Sequence, residues 1–261
     1  MIPLRDSIRL QRLPLVTIAL IAANVLAYLI AVASGGSILD GPTLATVVHF
    51  GAIPYEFTHL SSHCDLAGAG FSTTILCTGT PGVVGSALAQ PATWETAFTA
   101  MFMHANLLHI AGNMVFLAVF GCTLEDRIGR VRFLAFYLLG GLAALALQIA
   151  ASPGSATPTL GASGAIAAVL GGYILLFPRA RVLTLVALVL FFTVIELPAW
   201  VMLGLWLIFD ALLGAFGVST PFGGGAGVAY YAHIGGFAFG LLAIRAFAAG
   251  RPGGYGEPRT A

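Results

Sequence analysis

The chain has 261 residues, of which 59% are hydrophobic and only 8% are charged, and its mean hydropathy is +0.97. About a quarter of the residues of a soluble protein are charged, so this composition excludes an ordinary soluble domain and indicates an integral membrane protein. The net charge of +1 gives no indication of an acidic partner such as nucleic acid.

The placement of the arginines indicates how the chain crosses the membrane. All eleven basic residues are arginine, and none lies between residues 13 and 126. Basic residues mark the cytoplasmic side, so two spans are expected between neighbouring arginine groups. The predicted fold is all-α, a polytopic bundle of six transmembrane helices with both termini cytoplasmic. The groups are Arg5, Arg9 and Arg12; Arg127, Arg130 and Arg132; Arg179 and Arg181; and Arg245, Arg251 and Arg259.

Three regions are expected along the chain. Residues 1–13 form a short basic cytoplasmic arm, residues 14–249 form the membrane domain, and residues 250–261 form a cytoplasmic tail. The apolar run after the arm is about 20 residues long and lacks a small-residue cleavage pattern, so we interpret it as a retained first span. Within the membrane domain, residues 34–104 form a long extracytoplasmic first loop.

The helix bounds follow from the apolar runs and from the residues expected at the membrane surface. Glu125, Asp126 and Arg127 mark the inner end of helix 2, and counting back about 20 residues places its outer end near Ala105. Residues 182–216 are too many for one span, so residues 181–193 are expected to form an interfacial piece. The expected helices are 14–33, 105–125, 132–150, 160–177, 195–216 and 230–249, with outer loops at 152–158 and 219–227.

Two of the three cysteines, Cys64 and Cys77, fall in the first loop. Outside the cytoplasm a disulfide between them is chemically permitted, and it would stabilise the loop by about 3 kcal/mol. The alternative is a metal site that also uses His59 and His63, but the usual paired-ligand spacing is absent. The sequence leaves the pairing open.

Four polar residues are expected in the outer halves of the helices: His109, Asn113, Ser163 and His233. Polar groups inside a membrane are costly and therefore indicate function. His109 and Asn113 are four residues apart, so they share one face of helix 2. The simpler interpretation is that such residues hold helices together by hydrogen bonds.

Small residues surround both Ser163 and His233. His233 shares a face of helix 6 with Gly236 and Gly240, which permit close helix approach, and Ser163 heads a stripe of small residues on helix 4. If the stripes meet, the hydroxyl and the imidazole lie at one depth, as a nucleophile and its general base require. His109, Asn113 and the Ser163 backbone N–H could then stabilise the oxyanion.

An acid that could orient His233 is not evident in the sequence. Asp210 is expected deeper in helix 5, and Glu196 near the inner end of that helix, so the sequence favours a two-residue Ser/His site. The segment from Gly161 to Gly164 is by itself weak, because small residues around a serine also serve helix packing. It differs from the G-x-S-x-G elbow of soluble hydrolases in having Ala165.

Together these motifs resemble the rhomboid family of intramembrane serine proteases, over most of residues 94–245. His104, His109 and Asn113 match His-x4-His-x3-Asn; Gly161 to Gly164 match GxSG; and Ala232, His233, Gly236 and Gly240 match Ala-His-x2-Gly-x3-Gly. The resemblance implies peptide-bond hydrolysis in or near the membrane, with Ser163 as nucleophile and His233 as base. It implies an oxyanion hole of His109, Asn113 and Ser163, and structural support from His104, Gly161, Gly164, Gly236 and Gly240.

The sequence departs from the family pattern at two places. The Trp-Arg pair ahead of helix 2 is Trp94-Glu95 here, which puts the bracing of the first loop in doubt. The aromatic residue that some members carry one turn after the serine is Ala167, which puts ring packing against His233 in doubt. Neither departure touches the Ser163/His233 pair.

Two other functions remain as alternatives. A catalytically inactive rhomboid-like protein that binds membrane clients would lack the serine or the histidine, and a transporter would show ionisable residues along a pathway through the midplane. We expect transmembrane protein substrates, contact with membrane lipids, no cofactor and no metal, in a bacterial cytoplasmic membrane with the site open to the extracytoplasmic side. The natural substrate, the gate (helix 5 or residues 219–227) and the oligomeric state are not indicated.

Overall fold

The computed structural model describes residues 1–67, 74–79, 90–188, 191–215 and 229–250. These residues are mostly helical, and four helices among them are long and apolar enough to cross a membrane: Leu15–Ala33, Leu107–Ile128, Arg130–Ala151 and Tyr230–Ala248. The predicted loop at 219–227 and, apart from Gly250, the predicted tail at 250–261 lie outside the described residues.

The elements are numbered in chain order. The helices are α1 Leu15–Ala33, α2 Leu44–Phe50, α3 Pro54–Thr58, α4 Thr93–Thr99, α5 Leu107–Phe116, α6 Cys122–Ile128, α7 Arg130–Ala151, α8 Ser163–Leu176, α9 Ala199–Ala215 and α10 Tyr230–Ala248, with a π-helical turn, Leu117–Gly121, that joins α5 to α6. The strands are β1 Ile2–Asp6, β2 Cys64–Ala67, β3 Thr74–Cys77, β4 Arg181–Leu188 and β5 Phe191–Pro198.

The bundle has two chemically different ends. Gly129, with a φ of 88°, makes the tight turn between α6 and α7, so Arg127 and Arg130 lie at the same end, called here the arginine end. Arg132 donates to the backbone carbonyls of Phe247 and Ala249 there, at 3.0 and 2.8 Å. The opposite end, where α8 begins at Ser163, is called the serine end.

The N-terminal arm is packed into the arginine end. β1 pairs antiparallel with β4, which pairs antiparallel with β5. Asp6 accepts hydrogen bonds from the hydroxyls of Thr123 and Tyr173, at 2.7 and 2.8 Å. Glu125, expected at the inner end of helix 2, is buried at the arginine end, and it accepts a 2.7 Å hydrogen bond from the backbone N–H of Thr17 in the first turn of α1. A carboxylate is favourable at a helix N-terminus, so Glu125 stabilises the start of α1. The arm itself is joined to α6 and α8 through Asp6, and to β4 through β1.

The first loop braces the segment that precedes Ser163. Cys64 and Cys77 form a disulfide between paired positions of β2 and β3, which decides between the disulfide and the metal site that the sequence left open. Ala52 and Thr159 exchange backbone hydrogen bonds of 2.9 and 2.7 Å. The loop is therefore fixed to the connection between α7 and α8.

Two predicted helices begin three or four residues later than expected. Helix 4 begins at Ser163 and not at Leu160, because Gly161 has a φ of 118° and donates its N–H to the Ala100 carbonyl at 2.8 Å. Helix 5 begins at Ala199 and not at Ile195, because residues 191–198 form β5, the second strand of a hairpin that includes Glu196. A strand is favoured there by β-branched residues.

The stripes of small residues on α8 and α10 meet. A Cβ on Gly236 would overlap the Gly164 carbonyl oxygen, and one on Gly240 would overlap the carbonyl oxygen of Ala168. The two backbones therefore approach as closely as the absence of side chains permits, as in small-residue interfaces of membrane helices. This contact fixes Ser163 and His233 relative to each other.

Candidate active site

Ser163 is the first residue of α8 and is half-buried. The first intrahelical bond runs from the Ile166 N–H to the Ala162 carbonyl at 2.9 Å. The backbone N–H groups of the first turn have no intrahelical acceptor, and the helix dipole places positive potential there. The hydroxyl thus lies beside donors suited to a negatively charged oxygen.

His233 in the first turn of α10 contacts Ser163 directly. Its Nε2 lies 2.8 Å from the Ser163 Oγ, and only 9% of the residue is exposed. This distance is within the range for proton transfer between a nucleophile and its general base. The structure therefore brings together the two residues assigned to the reaction.

The expectation that His233 has no acidic partner is wrong. Asp210 of α9 places both carboxylate oxygens near the His233 Nδ1, at 2.9 and 2.8 Å. The side chains of His233 and Asp210 are 11% and 14% exposed. Because α9 begins at Ala199, Asp210 reaches the depth of His233 and is not buried farther from the serine end.

His109 on α5 is oriented by its neighbours. The Ala105 N–H donates to its Nδ1 at 3.4 Å, which leaves the proton on Nε2. A Cβ added to Gly161 would lie 2.9 Å from the His109 Nε2 and 3.4 Å from the Ser163 Oγ. The His109 Nε2–H is therefore a donor close to the hydroxyl, in space that Gly161 leaves open.

Asn113 lies one helical turn after His109, on the same face of α5. It is 8% exposed, and its Nδ2 has no acceptor among the residues that the structure describes. Buried donors without partners are rare. The face of α5 that carries His109 thus also carries a buried amide donor without an acceptor in the described part of the chain.

His104 is fully buried and supports His109. Its Nδ1 lies 3.2 Å from the Phe102 carbonyl oxygen, and its ring meets the His109 ring edge-on at 5.1 Å. Burial, together with the neighbouring His109, lowers the pKa of His104 to about 3. His104 is therefore held as a neutral ring in the loop before α5, and its structural role stays a prediction.

A small open cleft lies beside the hydroxyl. Alanine and glycine line most of it, including Ala144, Gly164 and Ala232. Side chains of this size leave a small space beside the Ser163 hydroxyl and restrict large groups there.

The two departures from the family pattern have structural counterparts. Ala167 is buried, and the ring near His233 belongs instead to Trp206 of α9, with centroids 5.9 Å apart. Glu95 accepts a 3.0 Å hydrogen bond from the Ala92 N–H at the start of α4. The sequence reasoning missed Trp206 and Asp210, although their spacing of four residues placed them on one helical face.

No group of three or more His, Cys, Asp or Glu that could hold a metal ion occurs in the ranges that the structure describes. The serine end presents a hydroxyl, an imidazole, a carboxylate and several N–H donors.

Comparisons with known proteins match this part of the chain. The Rhomboid domain family matches residues 91–249. Similar proteins include Rhomboid protein 1, mitochondrial, of Saccharomyces cerevisiae (32% identical over 147 residues, 54% of this chain and 38% of the relative). RHOMBOID-like protein 6, mitochondrial, of Arabidopsis thaliana is 38% identical over 73 residues (26% and 24%). Presenilin-associated rhomboid-like protein A, mitochondrial, of Danio rerio is 34% identical over 82 residues (31% and 21%).

These relatives correct the expected location of the protein, although each is matched over only part of its length. The chain covers only 21% to 38% of their length. All three are named as mitochondrial proteins, which contradicts the expected bacterial cytoplasmic membrane. The arginine distribution could not identify the membrane, because it indicates only on which side each loop lies.

Proposed function

Because the chain belongs to the rhomboid family, we propose that it is a serine endopeptidase that hydrolyses peptide bonds in or near transmembrane segments of other membrane proteins. The observation that supports this most directly is the 2.8 Å separation of the Ser163 Oγ and the His233 Nε2. The two residues come from different helices, and their contact depends on the glycine-mediated approach of α8 to α10.

The reaction begins with attack of the Ser163 Oγ on the scissile carbonyl carbon, while its proton moves to the His233 Nε2. The tetrahedral intermediate collapses as His233 returns this proton to the leaving amine, which leaves an acyl-enzyme. A water molecule then attacks the ester, gives its proton to His233, and releases the second product as Ser163 recovers its proton.

The oxyanion accepts hydrogen bonds from three groups in this proposal: the Ser163 backbone N–H, the His109 Nε2–H and the Asn113 Nδ2–H. They come from two different helices, α5 and the first turn of α8. Each such donor contributes about 10² to 10³ in rate. The Ser163 N–H is held by α8 and the His109 ring by the Ala105 N–H, so these two donors need little reorganisation during the reaction.

The length of α8 supports a reaction below the membrane surface. Its 14 residues span about 21 Å, which is less than the ~30 Å of hydrocarbon. A substrate helix hides its peptide bonds in its own hydrogen bonds, so it must unwind before one can reach Ser163. The small residues of the cleft favour a small side chain at the scissile position.

The proposal places six helices, α1, α5–α6, α7, α8, α9 and α10, across a mitochondrial membrane. The termini, residues 1–13 and 250–261, lie on the arginine side, and the serine end opens to the other side. The partners are single transmembrane segments of other proteins and the surrounding lipids.

The test uses the full chain reconstituted in liposomes with a single-span substrate that carries small residues and a helix breaker near one end. Wild type is compared with Ser163→Ala and His233→Ala. Ser152→Ala, in the connection before α8, is the matched control. We expect cleavage by wild type and the control, and its loss in both site variants.

A serine-directed phosphonate adds an independent measurement, because it reports an activated hydroxyl without any substrate. It should label wild type at Ser163 and leave His233→Ala unlabelled. Cleavage that persists in Ser163→Ala would disprove the assignment of the nucleophile. Wild type that binds the substrate and never cleaves it would favour a client-binding protein instead.

A further inference from the structure

Asp210 is the carboxylate that α9 contributes to the serine end. Both of its oxygens lie within 2.9 Å of the His233 Nδ1, while the Nε2 of the same ring contacts Ser163 at 2.8 Å. The hydroxyl, the ring and the carboxylate therefore form one continuous chain of hydrogen bonds. Burial of a carboxylate within an apolar helix is costly, which marks it as a functional candidate.

We propose that Asp210 is a positioning residue that completes a Ser163–His233–Asp210 triad, an inference that rests on the proposed protease function. Asp210 does not touch the reacting atoms. It acts through His233, by fixing which ring nitrogen carries the proton and by stabilising the imidazolium that forms during attack.

The tautomer follows from the geometry. A carboxylate only accepts hydrogen bonds, so the His233 Nδ1 must donate to Asp210 and carry the proton. The Nε2 is then free to accept the proton of Ser163. Without the carboxylate the neutral ring can also hold its proton on Nε2, and a ring in that form cannot act as the base.

The low exposure of the pair makes the contact effective. Its side chains are 11% and 14% exposed, so water competes weakly for the hydrogen bonds and the charge attraction is screened little. The ring of Trp206, one turn before Asp210 on α9, contacts the His233 ring at a tilt, with centroids 5.9 Å apart. The same face of α9 thus supplies both the carboxylate and an apolar ring beside His233.

A structural role is the alternative explanation, since the contact also joins α9 to α10. The two roles differ in what they predict for the chemistry of His233. A link between helices affects the fraction of folded protein, whereas a positioning residue affects the chemical step and its dependence on pH. Other titratable groups near the pair are His109 on α5 and Tyr230 on α10.

The kinetic experiment compares wild type, Asp210→Asn and Asp210→Glu in liposomes, over a range of pH. We expect Asp210→Asn to lower kcat by about 10² to 10⁴ with KM unchanged, and to move the acid limb of the pH profile. Asp210→Glu keeps an acceptor and should recover part of the rate. The matched control is Asp6→Asn, which makes the same change at a carboxylate that joins elements at the arginine end. It should affect stability and leave the acid limb unchanged.

A second measurement does not depend on cleavage. Nuclear magnetic resonance of ¹⁵N-histidine reports which nitrogen of His233 carries the proton, with His233→Ala to assign the signal. In wild type and in Ser163→Ala we expect the proton on Nδ1, and in Asp210→Asn a mixture of tautomers. An unchanged tautomer in Asp210→Asn would overturn the proposal, and so would an altered tautomer with wild-type kcat. If wild type cleaves nothing, the proposed function fails, and the tautomer still decides whether Asp210 positions His233.

Discussion

Replacing Gly236 by alanine tests whether the close approach of α8 and α10 creates the site. A Cβ at this position would overlap the carbonyl oxygen of Gly164, so the two helices must separate by roughly 1 Å to restore ordinary contact. The same movement lengthens the 2.8 Å contact between Ser163 and His233 beyond hydrogen-bond reach. A displacement of this size costs about 10² in rate. We therefore expect at least that loss in kcat/KM.

The assay is cleavage of a single-span substrate in liposomes, with resistance to detergent unfolding measured in parallel. Gly112→Ala is the matched control, because it places the same methyl in a helix where nothing lies within 4 Å of the new atom. The control should keep its activity and gain up to about 1 kcal/mol in stability from helix propensity. A folded Gly236→Ala that cleaves within about twofold of wild type would refute the reasoning, since ordinary kinetic scatter is far below a loss of 10².

Four further predictions follow from the described residues. Asn113→Ala should lower kcat by about 10² to 10³ with little change in stability, as measured by steady-state kinetics. A substrate with alanine at the scissile position should be cut faster than one with phenylalanine, because small residues line the cleft beside Ser163. Cys77→Ser should destabilise the first loop by up to about 3 kcal/mol, seen as faster proteolysis there, and leave cleavage intact. Burial raises the pKa of Glu56, so the protonated side chain is favoured in the folded loop. The resulting stabilisation of the folded loop is fully present below the ordinary pKa of glutamate and is lost as pH rises through the raised pKa. Proteolysis of the first loop, corrected for the pH dependence of the protease itself, should become faster in that range, and Glu56→Gln should abolish the change.

The helices near the site were predictable because long apolar runs have few other solutions in a membrane. Helix 6, expected from Tyr230, begins there, and helix 3 extends by only two residues at its start. The start of α8 was missed because a glycine with positive φ ends a helical pattern without changing its hydropathy. The start of α9 was missed because a strand hairpin and an apolar helix contain the same kinds of residue.

The site residues, like the helices, were predictable only in part. Helical periodicity placed His109 with Asn113, and His233 with Gly236, on single faces from sequence spacing alone. It could not predict that the Ala105 N–H orients His109, or that the Trp206 ring contacts His233. Those contacts join different segments or depend on a loop, whereas periodicity describes one helix at a time.

The sequence by itself determined that this is a membrane protein. It also identified two helix faces of small residues that could meet, and it placed Ser163 on one and His233 on the other. Only the tertiary structure decided that Asp210 joins them. Asp210 lies eleven residues after Ala199, about 17 Å along α9, which brings it to His233 only because the hairpin of β4 and β5 occupies the chain up to Pro198. The depth of a side chain depends on where its helix begins, and here the pairing of two strands in a hairpin sets that beginning.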